Sequence, residues 1–350
     1  MRTDNRGTGV APCPRRAFLR TLGAGAMGLA FSGAAGSAPA KPLRGVFPIG
    51  QTPLTESDKL DLECLQAEVK FCNRFKVHGF AWPQIASGWA SLSEQERLEG
   101  AEAILAAGKG GATSLVIGVQ SKDGDAAKSV MYARHAAKNG ADAIVSLPPE
   151  KAGDQAMIEY YKTIGAATEL PLIVQSQGDM SVDLIAEMAK QIPNMKAVKD
   201  EAGNPLARVG QIIERTGGRI AVFSGNGVRT MIDEMRLGFS GHCPTTVLAD
   251  FYAATFDLWH AGKRREAFDM FGRIQAMNSI PGAAGYLMVV RGIFQETTKV
   301  RAMSVPGGGP GGGFGGGNAG GGRRPAPLDE AGKKAIRDAW DEFMKPYLRG

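Results

Sequence analysis

The segment "NMKAVKDEAGN", residues 194 to 204, sets a lysine at the tip of a short apolar run, ahead of two acids and a glycine turn. Side chains alternate along a strand, so Met195, Ala197 and Lys199 share one face while Lys196 and Val198 share the other. An amine aimed from such a strand into a closed, partly dry interior is biased toward its neutral form, which attacks ketones. Small Ala197 beneath Lys199 leaves room for it. The competing reading pairs Lys199 with Asp200 or Glu201 as a solvated ion pair at the strand end. An imine-forming amine also needs a group that moves protons within hydrogen-bond reach. Glu150 is the first candidate, with Ser87, Gln175, Ser176 and His242 as supporting donors. Each has a plainer role open to it: Glu150 can cap the following helix, and Gln175 can satisfy backbone at a rim. His78, His135 and His260 fall on a strand start, a helix and a helix end, so no metal-ligand set is visible.

The elements that must hold this lysine are short β-branched runs: "GVFPI" (45 to 49), "GFAWP" (79 to 83), "SLVIGVQ" (114 to 120), "DAIVSLP" (142 to 148), "PLIVQS" (171 to 176), "MKAVK" (195 to 199), "RIAVFS" (219 to 224) and "GFSGHC" (238 to 243). Between them lie stretches with apolar residues at helical spacing, such as "SVDLIAEMAKQI", opened by Ser181 as an N-cap. Strand and helix alternate every 25 to 35 residues or so, the rhythm of an α/β chain closed into a (β/α)8 TIM barrel. A doubly wound open sheet competes, but such sheets commonly use five or six strands. On this reading Lys199 sits at the C-terminal mouth of the barrel, where such folds carry their chemistry. Additional C-terminal helices follow in "TVLADFYAATFDLWHAG", "RREAFDMFGRIQAM" and "GAAGYLMVVRGIFQETT".

Residues 1 to 40 do not belong to that core. Arg15 and Arg16, then Phe18 and Leu19, precede a weakly apolar Gly/Ala stretch that ends in Ala38-Pro39-Ala40, which reads as a twin-arginine export signal. The stretch is too short and glycine-rich for a bilayer span. "GAGAMG", residues 23 to 28, has dinucleotide-loop spacing but follows no strand, so no cofactor is implied. The first forty residues hold +4 of the formal +6 charge, leaving a nearly neutral remainder; with no basic run among aromatics, nucleic acid is not an expected partner, nor is a membrane once the signal is removed. Cys64 and Cys72 lie on one expected helix, about 12 Å apart by helical rise, too far to bridge. Residues 301 to 327 include twelve glycines in the seventeen positions from 306 to 322, a flexible insert. Beyond it, residues 328 to 350 place Ile336, Trp340, Phe343 and Tyr347 on one helical stripe, expected to dock on the barrel. The expected division is therefore a signal at 1 to 40, a barrel with its helices at 41 to 300, the insert, and a docking helix.

Residues 45 to about 300 resemble the dihydrodipicolinate synthase and N-acetylneuraminate lyase family of class I aldolases. "VKDEAGN" is similar to the family segment that carries the Schiff-base lysine; "LTESDKLDLECL", "SLSEQER", "AAKNGADAIVSLPP" and "FSGNG" are family-like too. The resemblance implies an imine-forming lyase acting through Lys199, and Ser224, Gly225 and Asn226 as substrate contacts. It also implies a homo-oligomer, tetramer or dimer. The departures are informative. The family's Gly-Thr-Thr-Gly-Glu loop aligns with "QIASGW", so Ile85 and Ala86 stand for the threonines that hold the substrate carboxylate, with Ser87 one position away. The family's two tyrosines align with Gln175 and Pro149, while Tyr160 and Tyr161 lie inside the next helix. The expected activity is aldol cleavage or dehydration of a 2-keto acid or keto sugar acid, rather than true dihydrodipicolinate synthesis. The alternative is a non-catalytic exported barrel that binds such an acid.

Overall fold

A computed structural model describes residues 41–225, 227–303 and 328–348. The expected signal, most of the glycine-rich insert and Asn226 lie outside the described residues. Eight parallel strands appear at the expected places: β1 Gly45–Val46, β2 Gly79–Trp82, β3 Ser114–Gly118, β4 Ala143–Ser146, β5 Leu172–Ser176, β6 Met195–Asp200, β7 Ala221–Ser224 and β8 Gly241–His242. They pair in chain order from β2 to β8, and β8 pairs with β1. Just past β1 the ring is completed, where Ala81 N donates to Pro48 O (2.9 Å) and Gly50 N donates to Ala81 O (3.0 Å). This is a (β/α)8 barrel.

The helices are α1 Leu62–Arg74, α2 Glu94–Gly108, α3 Ala126–Lys138, α4 Asp154–Gly165, α5 Val182–Gln191, α6 Pro205–Thr216, α7 Met231–Leu237 and α8 Ala249–His260. Their starts are written locally. Ser93 and Glu96 form a reciprocal capping box on α2, Ser181 accepts from Leu184 N on α5, and Asn204 caps α6 with Pro205 in its first turn. Two further helices, α9 Arg264–Asn278 and α10 Ala283–Val290, follow the barrel, and α11 Glu330–Ala339 packs into the same core.

Two details differ from expectation. The C-terminal stripe buries Ile336, Trp340 and Met344, whereas Phe343 and Tyr347 are 50% and 44% exposed. A π-helical turn over Trp340–Met344 widens the spiral, so the buried face continues through position 344 instead. A small ribbon, Lys299–Val300 against Pro53–Leu54, ties the chain before the insert to the loop after β1. There Ala302 O lies so near Gly88 that a Cβ would meet it at 2.3 Å, and Gly88 also has φ +67°, so both space and backbone require glycine.

Register sorts the strand residues into two faces. In parallel pairs, residues directly across from one another point the same way. Gln175 pairs with Lys199, Lys199 with Phe223, and Phe223 with Gly241. Phe223 and Ala197 belong to the small cluster that fills the barrel, so this row points inward. One position on, Ser176, Asp200, Ser224 and His242 form a second row that points outward into the helix layer.

Candidate active site

Lys199 lies at the C-terminal end of β6 on the inward row and is only 6% exposed. It faces a small, largely apolar space at the mouth of the barrel, walled by Phe47, Ile49, Val116, Val145, Ile173 and Phe223, with Ala81, Gln84 and Cys243 completing it. Ala197, fully buried beneath, leaves the side chain free to lie along the axis. Both sequence readings of Lys199 hold in part. The amine is inward and desolvated, yet it is also paired: Nζ lies 3.1 Å from Glu201 Oε1.

Alternation past the strand end carries Glu201 to the same side as Lys199, and three features keep it there. Gln175 Nε2 donates to Glu201 Oε2 in a very short contact. Ser176 Oγ accepts from the backbone N–H groups of Glu201 (3.0 Å) and Ala202 (3.3 Å) while donating to Asp200 Oδ1 at 2.5 Å. Asp200 in turn takes Arg208 Nε and Nη2, each at 3.0 Å, and Arg208 also donates to Met180 O. This outward clamp fixes the turn that turns Lys199 and Glu201 inward. The third feature is space: a Cβ on Gly225 would fall 1.9 Å from Glu201 Oε1 and 2.5 Å from Lys199 Cε. Only glycine leaves room for the pair.

The other polar wall is Gln84, at the start of the short turn Ile85–Ser87. Its Nε2 donates to Pro83 O (3.1 Å) and Gln120 Oε1 (3.3 Å), both acceptors, which fixes the amide orientation. Gln84 Oε1 is then buried without a hydrogen-bond partner among the described residues, and the same is true of Gln175 Oε1. Arg97 supports this corner from behind, donating to the carbonyls of Gln120 and Gly118, with its guanidinium 3.9 Å from the Tyr132 ring centre. Cys243, on the inward row beyond β8, reaches the cavity as a neutral thiol, because burial pushes its pKa up to about 12.

The expected site residues divide along the two rows. Lys199, Gln175 and Gly225 come together. Ser176, Ser224 and His242 do not enter the cavity; they face the helices, because each is one residue out of step with the inward row. Ser176 is part of the clamp. Ser224 Oγ donates to Glu234 Oε2 of α7, and His242 Nδ1 lies 2.6 Å from the same oxygen. The His242 ring packs edge-on to Phe256 of α8, not at the mouth. Ser87 reaches the rim, but its hydroxyl donates to Gly50 O (2.6 Å) and accepts from Gln84 N (3.0 Å), so it serves the scaffold. Ile85 and Ala86 are half-buried at that turn, outside the cavity wall, with Ala86 packed on the barrel interior. Glu150 stands exposed on the turn after β4, also outside the wall. Tyr160 and Tyr161 bond Ser146 from the helix side. The sequence names Glu201 only as an ion-pair partner of Lys199 and gives Gln84 no role. Alternation past Lys199 was a signal for Glu201, whereas nothing local marked Gln84. Among the described residues no cluster of His, Cys, Asp and Glu is placed to hold a metal ion.

A buried lysine on the inward row, at the C-terminal mouth of an eight-stranded barrel, stands where such folds carry their chemistry. The profile of the Dihydrodipicolinate synthetase family matches residues 42–299, and the chain belongs to that family. The 4-hydroxy-tetrahydrodipicolinate synthase of Methanosarcina mazei is 28% identical over 179 residues, 49% of this chain and 59% of the relative. The chain thus spans about three fifths of that relative's length. Among solved structures, the chloride-inhibited dihydrodipicolinate synthase of Acinetobacter baumannii, complexed with pyruvate, superposes with a TM-score of 0.66 at 19% identity, over 85% of this chain and 97% of that one. The N-acetylneuraminate lyase of Mycoplasma synoviae superposes with a TM-score of 0.66 at 18% identity, over 86% and 97%. At that identity the likeness is one of fold.

Proposed function

We propose that this protein is a Schiff-base-forming lyase, an aldolase or dehydratase, that acts on a 2-keto acid or keto sugar acid through Lys199. The observation that carries the reading is the amine itself, 6% exposed and directed into the mouth cavity. Its neutral form adds to the C2 carbonyl, water leaves, and the resulting iminium withdraws electrons from C3, so that a carbon–carbon or carbon–oxygen bond further along the chain can break. The pyruvate bound by the Acinetobacter baumannii synthase supports a pyruvate-type group at the amine. Gln84 Oε1 and Gln175 Oε1 suit hydroxyl donors on the remainder.

Dihydrodipicolinate synthesis itself is disfavoured, since an amide at Gln175 and a proline at 149 stand where the family's tyrosines would relay protons. The test is to incubate the protein with pyruvate and other 2-keto acids, add borohydride, and weigh the peptide that contains residue 199. A reduced adduct that disappears in Lys199→Ala is the expected result; binding of keto acids with no adduct from any of them favours a non-catalytic binder.

The reading extends to location and assembly. Export through Arg15 and Arg16 is expected, and the double change R15K/R16K should retain the protein in the cytoplasm. Sedimentation should find a homo-oligomer.

A further inference from the structure

We propose that Glu201 is the acid–base catalyst for Lys199, taking over the proton transfers for which this chain has no tyrosine; the proposal rests on the imine reading above. Three independent features converge on its carboxylate. Oε1 touches the reacting atom, 3.1 Å from Lys199 Nζ. Oε2 is held by Gln175, which acts as a positioning residue. Gly225 supplies the space that the carboxylate and the lysine Cε occupy.

No other described group near the amine can do this work. Gln84 is an amide, Cys243 is a thiol buried among apolar walls, Glu150 is exposed on a distant turn, and Tyr160 and Tyr161 lie behind the barrel wall.

The chemistry balances on this pair alone. It begins as ammonium and carboxylate. Proton transfer from Nζ to Oε1, across their 3.1 Å contact, gives amine and carboxylic acid. The amine lone pair attacks C2 and the carbonyl π electrons pass to oxygen, which takes the proton from Glu201. The carboxylate then removes a second proton from nitrogen and returns it to the C2 hydroxyl. That group departs as water while the nitrogen lone pair closes the C=N bond. Three hydrogens on nitrogen become one on the iminium and two in water, and Glu201 ends as it began.

A merely structural ion pair predicts the opposite response to the same change. If Glu201 only holds the ammonium, Glu201→Gln releases the amine and speeds adduct formation. If Glu201 moves protons, the isosteric amide slows it by about a hundredfold or more.

The experiment measures the rate of borohydride-trapped pyruvate adduct at Lys199 from pH 5 to 9, in wild type, E201Q and E201A, with folding checked by circular dichroism. Expected are a slow, pH-flattened E201Q and an E201A whose rate rises with added acetate. Adduct formation in wild type, with E201Q equal or faster and no rescue by acetate, overturns the role of Glu201 and leaves the lyase standing. No adduct in wild type with any 2-keto acid overturns the lyase and this role with it.

Discussion

Gly225→Ala tests the geometry of the site with a single methyl group. Gly225 does not adopt a positive φ, so alanine costs no backbone strain there and the effect is one of space. The new Cβ would lie 1.9 Å from Glu201 Oε1 and 2.5 Å from Lys199 Cε. To regain ordinary contact the carboxylate oxygen must withdraw by about 1.5 Å. Gln175 and the Ser176 clamp oppose that movement, and the ion pair lengthens from 3.1 Å. With an effective dielectric constant of about 20, stretching the pair to about 4.6 Å forfeits roughly 2 kcal/mol, in the range of about 1–3 kcal/mol that overpacking costs. Urea unfolding should show this loss, and the thermal midpoint should fall by about 3 °C. Adduct formation at Lys199 should slow by about a hundredfold, as a misplacement of about 1 Å does. A variant that unfolds at the wild-type midpoint and traps pyruvate at the wild-type rate would show that the carboxylate does not occupy that space, and the argument for Glu201 would fail with it.

Other consequences follow from the two rows of the barrel and from its buried groups. His242→Ala should cost about 1–3 kcal/mol, because buried Glu234 loses one hydrogen bond and keeps those from Ser224 and Thr230, while the trapping rate at Lys199 stays unchanged; a large fall in that rate would place His242 in the cavity after all. Burial raises the pKa of Cys64, of Cys72 and, to about 12, of Cys243, so mass mapping after Ellman's reagent at pH 8 should find all three unmodified in the native protein and modified once it unfolds. Rapid native labelling of the Cys243 peptide would contradict its enclosure. Glu68, on α1, is fully buried; desolvation raises its pKa to about 8, against hydrogen bonds from Thr246 and Gln51 N that lower it. The folded state therefore holds a proton that the unfolded state releases near pH 4.5, so this contribution is full at lower pH and fades as pH rises toward about 8. Glu68→Gln should flatten that decline, by on the order of a few kcal/mol, in urea titrations between pH 5 and 9; an identical slope in both proteins would place Glu68 in water.

The eight strands and the inward direction of Lys199 were legible in the sequence because both follow from local order: a run of β-branched residues makes a strand, and alternation assigns its faces. The same locality explains the errors. Ser176 and His242 lie near strand ends as Lys199 does, and Ser224 follows from the family resemblance, but neither position near an end nor resemblance says which face a residue takes. Register across β5, β6, β7 and β8 decides that, and it places these three one step out of phase, among the helices. Glu201 shows the division most clearly. Its position two residues past Lys199 determined that the two side chains would share a face. Whether they would meet in a dry cavity or part into solvent depended on Gln175 from β5 and on the missing side chain at Gly225 after β7, groups brought together only when the barrel closes.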